Sequence, residues 1–488
     1  MTTDVSDPNE IDQRVFPPTA RRDPRTGELL LGAVRTSALI AQYGSPLYVL
    51  DEDVARSRAR RIRAALEAEA ERIGTTATVY YAGKALLCVD VARWMAEEGL
   101  AIDVASGGEL AVALAAGVEP SRIGFHGNNK SEQEIGRAIA AGVGTIVIDS
   151  EIETERIAAA AKAAGVTQRV RLRVNSGVHA STHDYLATAH EDQKFGQPLR
   201  DAPRLVAAIL AHDGLEFVGL HCHIGSQIFG TDGFRESARR LMRVYPELAR
   251  LAGRSIPELN LGGGFGIAYT SAQAEDVPTI ATVARELADM VADCAREFGV
   301  PVPHLAFEPG RVVVGPAGVT LYTVGTTKPV PLAGSDAAGP ADLGYGERLY
   351  VSVDGGMSDN ARPALYGADY QVRIANRTSD AAAALVRVVG KHCESGDVVV
   401  QRDVIPEDVR PGDTLVVAAT GAYCWSLASN YNYLPRPPVV AVSGRGVRLI
   451  VHGETEDDLL AKSVSWRPGG AVHTASSQDV VHRPSSGR

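Results

Sequence analysis

The sequence predicts an α/β protein, a (β/α)8 TIM-type barrel followed by an all-β C-terminal domain of sandwich-like or barrel-like form. Two observations carry this. Between residues 77 and 307, eight short β-rich runs alternate with Ala/Glu-rich helical stretches, with no hairpin turn signal between them; that is the pattern of parallel strands joined by crossover helices. After Gly310 the helical periods fade, and β-rich runs separated by Gly, Pro and Asp turns take over, which reads as a second, all-β unit. A doubly wound sheet is the alternative for the first half.

Taken in order, residues 1 to about 45 are polar and Pro-containing, Pro46–Leu50 is a short strand, and Asp51–Ile73 has the spacing of a long helix. The eight barrel strands are then Ala77–Tyr81, Ala101–Val104, Arg122–His126, Thr145–Ile148, Arg169–Val174, Phe217–Ile224, Glu258–Leu261 and His304–Phe307. The second unit takes strands at Val312–Val314, Val319–Val324, Leu349–Val353, Tyr370–Ile374, Ala384–Val388, Asp397–Val400, Thr414–Ala418 and Val439–Val442. Pro329–Gly346, rich in Gly, Ala, Pro and Asp, is expected to be a flexible excursion. The division is therefore an arm and strand at 1–50 that pack on the β domain, a barrel at 51–311, a β domain at 312–465 and a disordered tail at 466–488.

Composition narrows the class. The 488 residues are 45% hydrophobic and 22% charged, the balance of a soluble globular enzyme, and the formal charge of −10 argues against nucleic acid as a partner. Five cysteines without a C-x-x-C pair disfavour a disulfide framework or structural zinc. The polar N-terminus has no apolar core and no run of 18 apolar residues occurs, so a cytoplasmic protein without a membrane partner is expected.

Chemistry in a barrel sits where strands end. Those ends read Tyr81-Ala-Gly-Lys84-Ala85, Asp103-Val-Ala-Ser-Gly-Gly-Glu109, His126-Gly-Asn-Asn-Lys130, Arg173 within strand five, His223-Ile-Gly-Ser226-Gln227, Gly262-Gly-Gly-Phe-Gly266 and Glu308-Pro-Gly-Arg311. Singly, each has an ordinary reading: Lys84 as a solvated rim charge, the glycines as a turn. The Gly262–Gly266 run departs from G-x-G-x-x-G, which disfavours a Rossmann dinucleotide site. In His221-Cys222-His223, strand alternation turns Cys222 away from both histidines, leaving a two-histidine metal pair or an aromatic ring against a flat cofactor. A Cys/His protease at Lys391–Asp397 is disfavoured, because neighbours in extended chain do not share a site. Together, a lysine amine, a glycine cradle, an aromatic ring and a carboxylate are what pyridoxal 5′-phosphate needs.

The ordered segments YYAGKA, DVASGGEL, GFHGNNKS, HCHIGSQI, LNLGGGFGI, FEPGR, VDGGMSDNARPALY, HCESGD and TGAYCWSLASNYN closely resemble the diaminopimelate decarboxylases of the fold type III pyridoxal-phosphate class, over about residues 45 to 460. The resemblance implies that Lys84 carries the cofactor as a Schiff base, that Asp103 tunes that lysine, and that His223 stacks on the cofactor ring. It also implies that Ser226, Gly262, Gly263, Gly264, Pro309, Gly310 and Arg311 lie around the phosphate, and that Glu308 pairs with the pyridine nitrogen. A carboxylate there keeps the nitrogen protonated and the ring electron-accepting; the racemases of the same fold place an arginine at that point.

By the same resemblance Arg311 reaches the phosphate or a substrate carboxylate, Arg362 with Tyr366 holds the substrate's distal end, Cys393 returns a proton to Cα after CO2 leaves, Glu394 binds the distal amine, and Tyr423 touches cofactor and substrate. Cys393 and Glu394 then come from the partner of a homodimer with shared sites. An arginine fork that an alkylamine leaves unpaired costs about 1–3 kcal/mol, which favours meso-diaminopimelate over ornithine or lysine. No metal is implied. The alternatives are a decarboxylase of another amino acid or a carrier-bound aminoacyl group, a racemase, which Glu308 disfavours, and a non-catalytic pyridoxal-phosphate carrier, which would lack the second domain. Ser176, where the family often has proline, is expected to alter only a local loop.

Overall fold

The computed structural model describes residues 7–178, 194–332 and 345–466. Eight parallel strands, Ala77–Ala82, Ala101–Val104, Ile123–Phe125, Thr145–Ile148, Gln168–Asn175, Leu215–His221, Glu258–Asn260 and His304–Phe307, pair in sequence order. The ring closes where Leu305–Phe307 pair with Ala77–Val79. Each of the eight predicted runs is a strand, and helices such as Glu52–Arg72, Glu132–Ala141 and Ile280–Phe298 cover the outside.

The two-residue period of these strands sorts the side chains. Outward residues such as Val79, Ile102, Ile146, Leu172 and Leu220 join the main hydrophobic core under the helices. Inward residues fill the barrel, where Tyr80, Ala101 and Ala306 form a small apolar cluster of their own. Beside it lies Arg171, 1% exposed, its Nη2 2.8 Å from Glu258 Oε2 and 3.1 Å from the Tyr80 hydroxyl. Gly219 makes room for this layer, since a Cβ there would stand 2.0 Å from the Glu258 carbonyl oxygen. The next inward layer is polar and forms the floor of the site.

The second unit is a sheet in which Gly318–Pro331 pairs with Glu347–Val353, with Thr414–Val417, and with the N-terminal strand Leu47–Asp51. Leu47–Asp51 also runs parallel to Val439–Ser443, so a strand that precedes the barrel in sequence is buried in the β-rich unit. Three short strands before it, Arg21–Arg22, Leu29–Leu31 and Val34–Arg35, were not foreseen; the Leu29 amide donates to the Ala375 carbonyl at 2.7 Å. Gly446–Val451, paired with Val439–Ser443, was also missed.

Two expectations are corrected. Val312–Val314 is not a strand but the body of a helical turn, Arg311–Val314, in which all three valines are buried. Packing against the helix Glu52–Arg72 overrides their β-propensity. Nor is Pro329–Gly346 an excursion throughout: Pro329–Pro331 pair with Glu347–Leu349, so the ladder takes in three residues at its start. The rest of that segment at 333–344, and the expected tail beyond Trp466, lie outside the described residues.

Replacing Glu258 with Ala leaves the Arg171 guanidinium buried without its carboxylate. A loss of about 3–5 kcal/mol is expected, read as a lowered urea midpoint at unchanged slope.

Candidate active site

The inward side chains at the C-terminal strand ends surround a cavity of about 170 Å³. Its floor is electrostatically ordered. Glu308 is 8% exposed and receives the Asn260 amide at 2.7 Å, while His221 Nε2 lies 3.1 Å and His126 Nε2 3.4 Å from its Oε1. His126 Nε2 is also 3.1 Å from Asp103 Oδ1, so one imidazole stands between two buried carboxylates.

Burial dominates the titration of this group. It pushes His126 and His221 down to about 4 and His223 to about 3, the nearby Lys84 adding to the effect at His223. The imidazoles are therefore neutral at physiological pH. His221 Nδ1 is buried without a partner, as expected when the proton sits on Nε2 and is donated to Glu308. Burial raises Asp103 well above its usual range, reinforced by the charge of Glu308. For Glu308 burial works the same way, but His221 and His126 outweigh it and hold the group well below the carboxylate range. The two carboxyls are thus pushed in opposite directions, Asp103 toward its protonated form and Glu308 toward its ionised form.

Lys84 sits in the turn Gly83–Ala85, directly after the first barrel strand, with its side chain exposed to the cavity. Its amine makes no hydrogen bond among the described residues. The opposite wall is cationic: Arg311 Nη2 donates to Ser226 Oγ at 2.8 Å, Nη1 donates to the Tyr269 hydroxyl, and the guanidinium packs 4.6 Å from the Tyr423 ring centroid. Gly262–Gly264 passes beneath. Gly263 has no room for a side chain, because a Cβ would meet the Glu308 carbonyl oxygen at 2.0 Å, and Gly264 has φ +111° and would meet the Gly225 carbonyl at 2.3 Å. The Gly263 amide points at His223 Nδ1, 3.4 Å away.

Of the residues singled out from sequence, Lys84, Asp103, His223, Ser226, Gly264, Glu308, Gly310, Arg311 and Tyr423 line this cavity. Gly262, Gly263 and Pro309 are backbone supports behind it; the Pro309 carbonyl accepts the Ala82 amide at 3.2 Å. Arg362 is buried one layer back, stacked 4.6 Å from the Tyr269 ring and bonded to the Tyr370 hydroxyl at 2.5 Å. Tyr366 is 69% exposed, and Cys393 and Glu394 are exposed on the loop before Val398–Pro406; none of the three is brought to the cavity of its own chain.

Sequence reasoning assigned no role to His126, His221, Asn260, Glu109, Arg173, Phe195 or Tyr269, all in or next to the cavity. The signal was there for four of them: Asn260, His221, His126 and Arg173 fall on the inward parity of their strands, like Glu308. Cys222 does face away, toward Ser237 at 3.5 Å. The metal alternative involves the wrong histidine. Among the described residues the donors with metal-like spacing are His126, His221 and Glu308, within 4.8 Å of one another, and they are committed to each other.

A family model described as a pyridoxal-dependent decarboxylase, pyridoxal binding domain, matches residues 58–315. Over 456 residues the chain is 47% identical to the diaminopimelate decarboxylase of Mycobacterium tuberculosis, covering 92% of this chain and 98% of that one. The chain belongs to the diaminopimelate decarboxylase family. The Bacillus subtilis diaminopimelate decarboxylase is 41% identical over 451 residues, 92% of this chain and 98% of the relative. The crystal structure of the M. jannaschii diaminopimelate decarboxylase superposes with a TM-score of 0.81 at 32% identity, over 92% of this chain and 98% of that one. A co-complex of that enzyme with L-lysine matches equally well, at 0.81 over 91% of this chain. The residues present fit the cofactor of such a family: a free amine, a glycine cradle beside a guanidinium, and an ionised carboxylate meet in one cavity.

The folded histidines resist protonation to about pH 4, whereas an unfolded histidine binds its proton near pH 6.5. Unfolding therefore takes up protons between these values, and stability present above about pH 6.5 is lost as pH falls toward 4. A His221→Gln variant, which keeps a donor for Glu308, is expected to show a shallower decline by about one proton when unfolding free energy is plotted against pH.

Proposed function

We propose that the chain decarboxylates meso-2,6-diaminopimelate to L-lysine and CO2, the last step of lysine biosynthesis, with pyridoxal 5′-phosphate as cofactor, and that it works in the cytoplasm as a homodimer with shared sites. The observation that carries this reading is Glu308, a buried carboxylate kept ionised at the cavity floor by His221, His126 and Asn260. Among the described residues no helix is long and apolar enough to cross a membrane.

Bound pyridoxal phosphate supplies an electron-accepting ring for the pair left behind when CO2 departs. Lys84 would hold it covalently, since its amine faces the cavity and makes no hydrogen bond among the described residues. Gly264, Ser226 and Arg311 would hold the phosphate through a backbone amide, a hydroxyl and a guanidinium, with Gly262 and Gly263, whose amides bond to Asn260 and His223, supporting the turn behind them. Glu308 would keep the pyridine nitrogen protonated, and the neutral ring of His223 offers a flat face. Asp103, pushed toward its protonated form by burial and by the charge of Glu308, lies next to His126 on the floor.

For the substrate, Arg311 would take a carboxylate at the cavity wall beside Tyr423, with Arg362 one layer behind Tyr269 and Tyr366 exposed on the helical turn Arg362–Tyr366. Cys393, as the proton donor to Cα, and Glu394, as the partner of the distal amine, would act in the partner's cavity. Exposed Tyr431 and Tyr433, 43% and 71% accessible, flank Asn432, whose Oδ1 accepts the Cys393 amide at 3.0 Å. Exposed aromatics around a reactive loop favour burial against another copy.

Purified protein with pyridoxal phosphate is expected to form lysine and CO2 from meso-diaminopimelate, and to leave ornithine, lysine and arginine untouched; comparable CO2 release from ornithine overturns the substrate. Lys84→Ala is expected to abolish both turnover and the visible absorbance of the bound cofactor. Mixing equal amounts of Lys84→Ala and Cys393→Ala chains tests shared sites. Half the dimers are mixed and one of their two sites is intact, so about a quarter of wild-type activity should return, against none if each chain works alone.

A further inference from the structure

The loop that bears Cys393 and Glu394 is exposed, yet it is built around a buried hydrogen bond between a carboxylate and an imidazole. Asp397 is 3% exposed, and its carboxylate collects three donors from two segments. Oδ1 accepts the Met357 amide at 2.6 Å; Oδ2 accepts the His392 amide at 2.8 Å and the His392 Nδ1 proton at 2.9 Å. Two glycines leave space for it, since a Cβ at Gly390 would stand 2.2 Å from Oδ2 and one at Gly356 would stand 2.4 Å from Oδ1.

The His392 ring extends this hold to a third segment. It lies flat on Tyr431, with centroids 5.6 Å apart and planes 6° apart. Its Nε2 is buried without a partner, so the bond to Asp397 is what fixes the ring's rotation. Next to Tyr431, Asn432 accepts the Cys393 amide at 3.0 Å with its own φ at +51°. The Ser429 amide donates to the Ser358 carbonyl at 2.8 Å, joining that segment to the one that holds Met357. Cys393 therefore stands between two clamps, Asp397–His392 before and after it and Asn432 at its own amide.

We propose that Asp397 is the positioning residue for Cys393 and Glu394, setting the placement of both side chains through the His392 ring and the three segments it ties together. This rests on the reading of Cys393 as the proton donor. A donor displaced by about 1 Å from the carbon it serves costs up to about 100-fold in rate, so a loop otherwise held only at the surface requires an internal anchor.

The test uses the cofactor-loaded enzyme. In Asp397→Asn the new amide puts N–H groups opposite at least one backbone donor whichever way it is turned, while the volume is kept. In Asn432→Gly the acceptor for the Cys393 amide is lost, but the positive φ is tolerated. Each variant is expected to lower kcat about 10- to 100-fold while retaining the cofactor absorbance. Cys393 is the one cysteine of the five that is not buried within its own chain, so its rate of alkylation by iodoacetamide, followed by mass spectrometry, reports how firmly the loop is held in the assembled enzyme and should rise several-fold in both variants.

Wild-type kcat and wild-type alkylation in Asp397→Asn would overturn the proposal, and so would a fall in kcat with unchanged alkylation. Cys393→Ala, measured alongside, separates the two claims. An active Cys393→Ala would remove the role assigned to Cys393, whereas the alkylation rates would still decide whether Asp397 sets the loop.

Discussion

Glu308 carries a negative charge into a place where an isolated charge costs several kcal/mol. The barrel meets that cost with neutral donors rather than with a cation: Asn260 and His221 direct N–H groups at the carboxylate, and the His126 ring lies beside it, bonded to Asp103. A lysine or arginine in their place would satisfy the charge and at the same time neutralise it toward a ligand. Two neutral donors leave its electrostatic field available to the cavity. The same burial holds two histidines unprotonated here and, reinforced by the charge of Glu308, pushes the second carboxylate, Asp103, toward its protonated form.

The remaining layout follows from this floor. With a negative charge at the centre, the positive groups lie at the rim: Arg311 against Ser226 and Tyr423, and Lys84 in the turn after the first strand. The cavity therefore has a direction, from carboxylate to guanidinium and the Gly264 amide, that a ligand with a basic ring nitrogen at one end and a phosphate at the other would complement. Beneath the floor, Arg171, Glu258 and Tyr80 fill the barrel with a paired layer, which gives the polar floor a rigid support in place of a soft apolar one.

The barrel was legible because eight short β-rich runs, each followed by a helical stretch and with no hairpin signal between them, are a strong signal that depends on few residues. The β-rich unit was legible as a class but less so in its edges: Val312–Val314 have strand composition and form a helical turn, because burial on all sides removes the difference that propensity expresses. Within the site, residues at strand ends were found, and those one layer down were not. His221 was weighed only beside Cys222 and His223, its sequence neighbours, whereas its physical neighbours are Glu308 and His126 on other strands. Arg362 illustrates the opposite case: its motif marks it as part of the site, while the coordinates place Tyr269 between it and Arg311.

The chain's order, barrel first and β-rich unit second, does not make the second unit an appendage. The Tyr423 amide donates to the Ala85 carbonyl at 2.7 Å, and Ser426 Oγ to the same oxygen at 3.1 Å, so the residue after Lys84 is held from the other unit. Tyr423 itself has φ +61°, a left-handed conformation that a bulky residue holds only when its surroundings require it. Here it presents the ring to the Arg311 guanidinium while the backbone reaches Ala85. The position of the Lys84 amine relative to Glu308 is therefore set by both units together, and a barrel cut off at Val314 would keep the carboxylate floor but lose the restraint on the lysine above it.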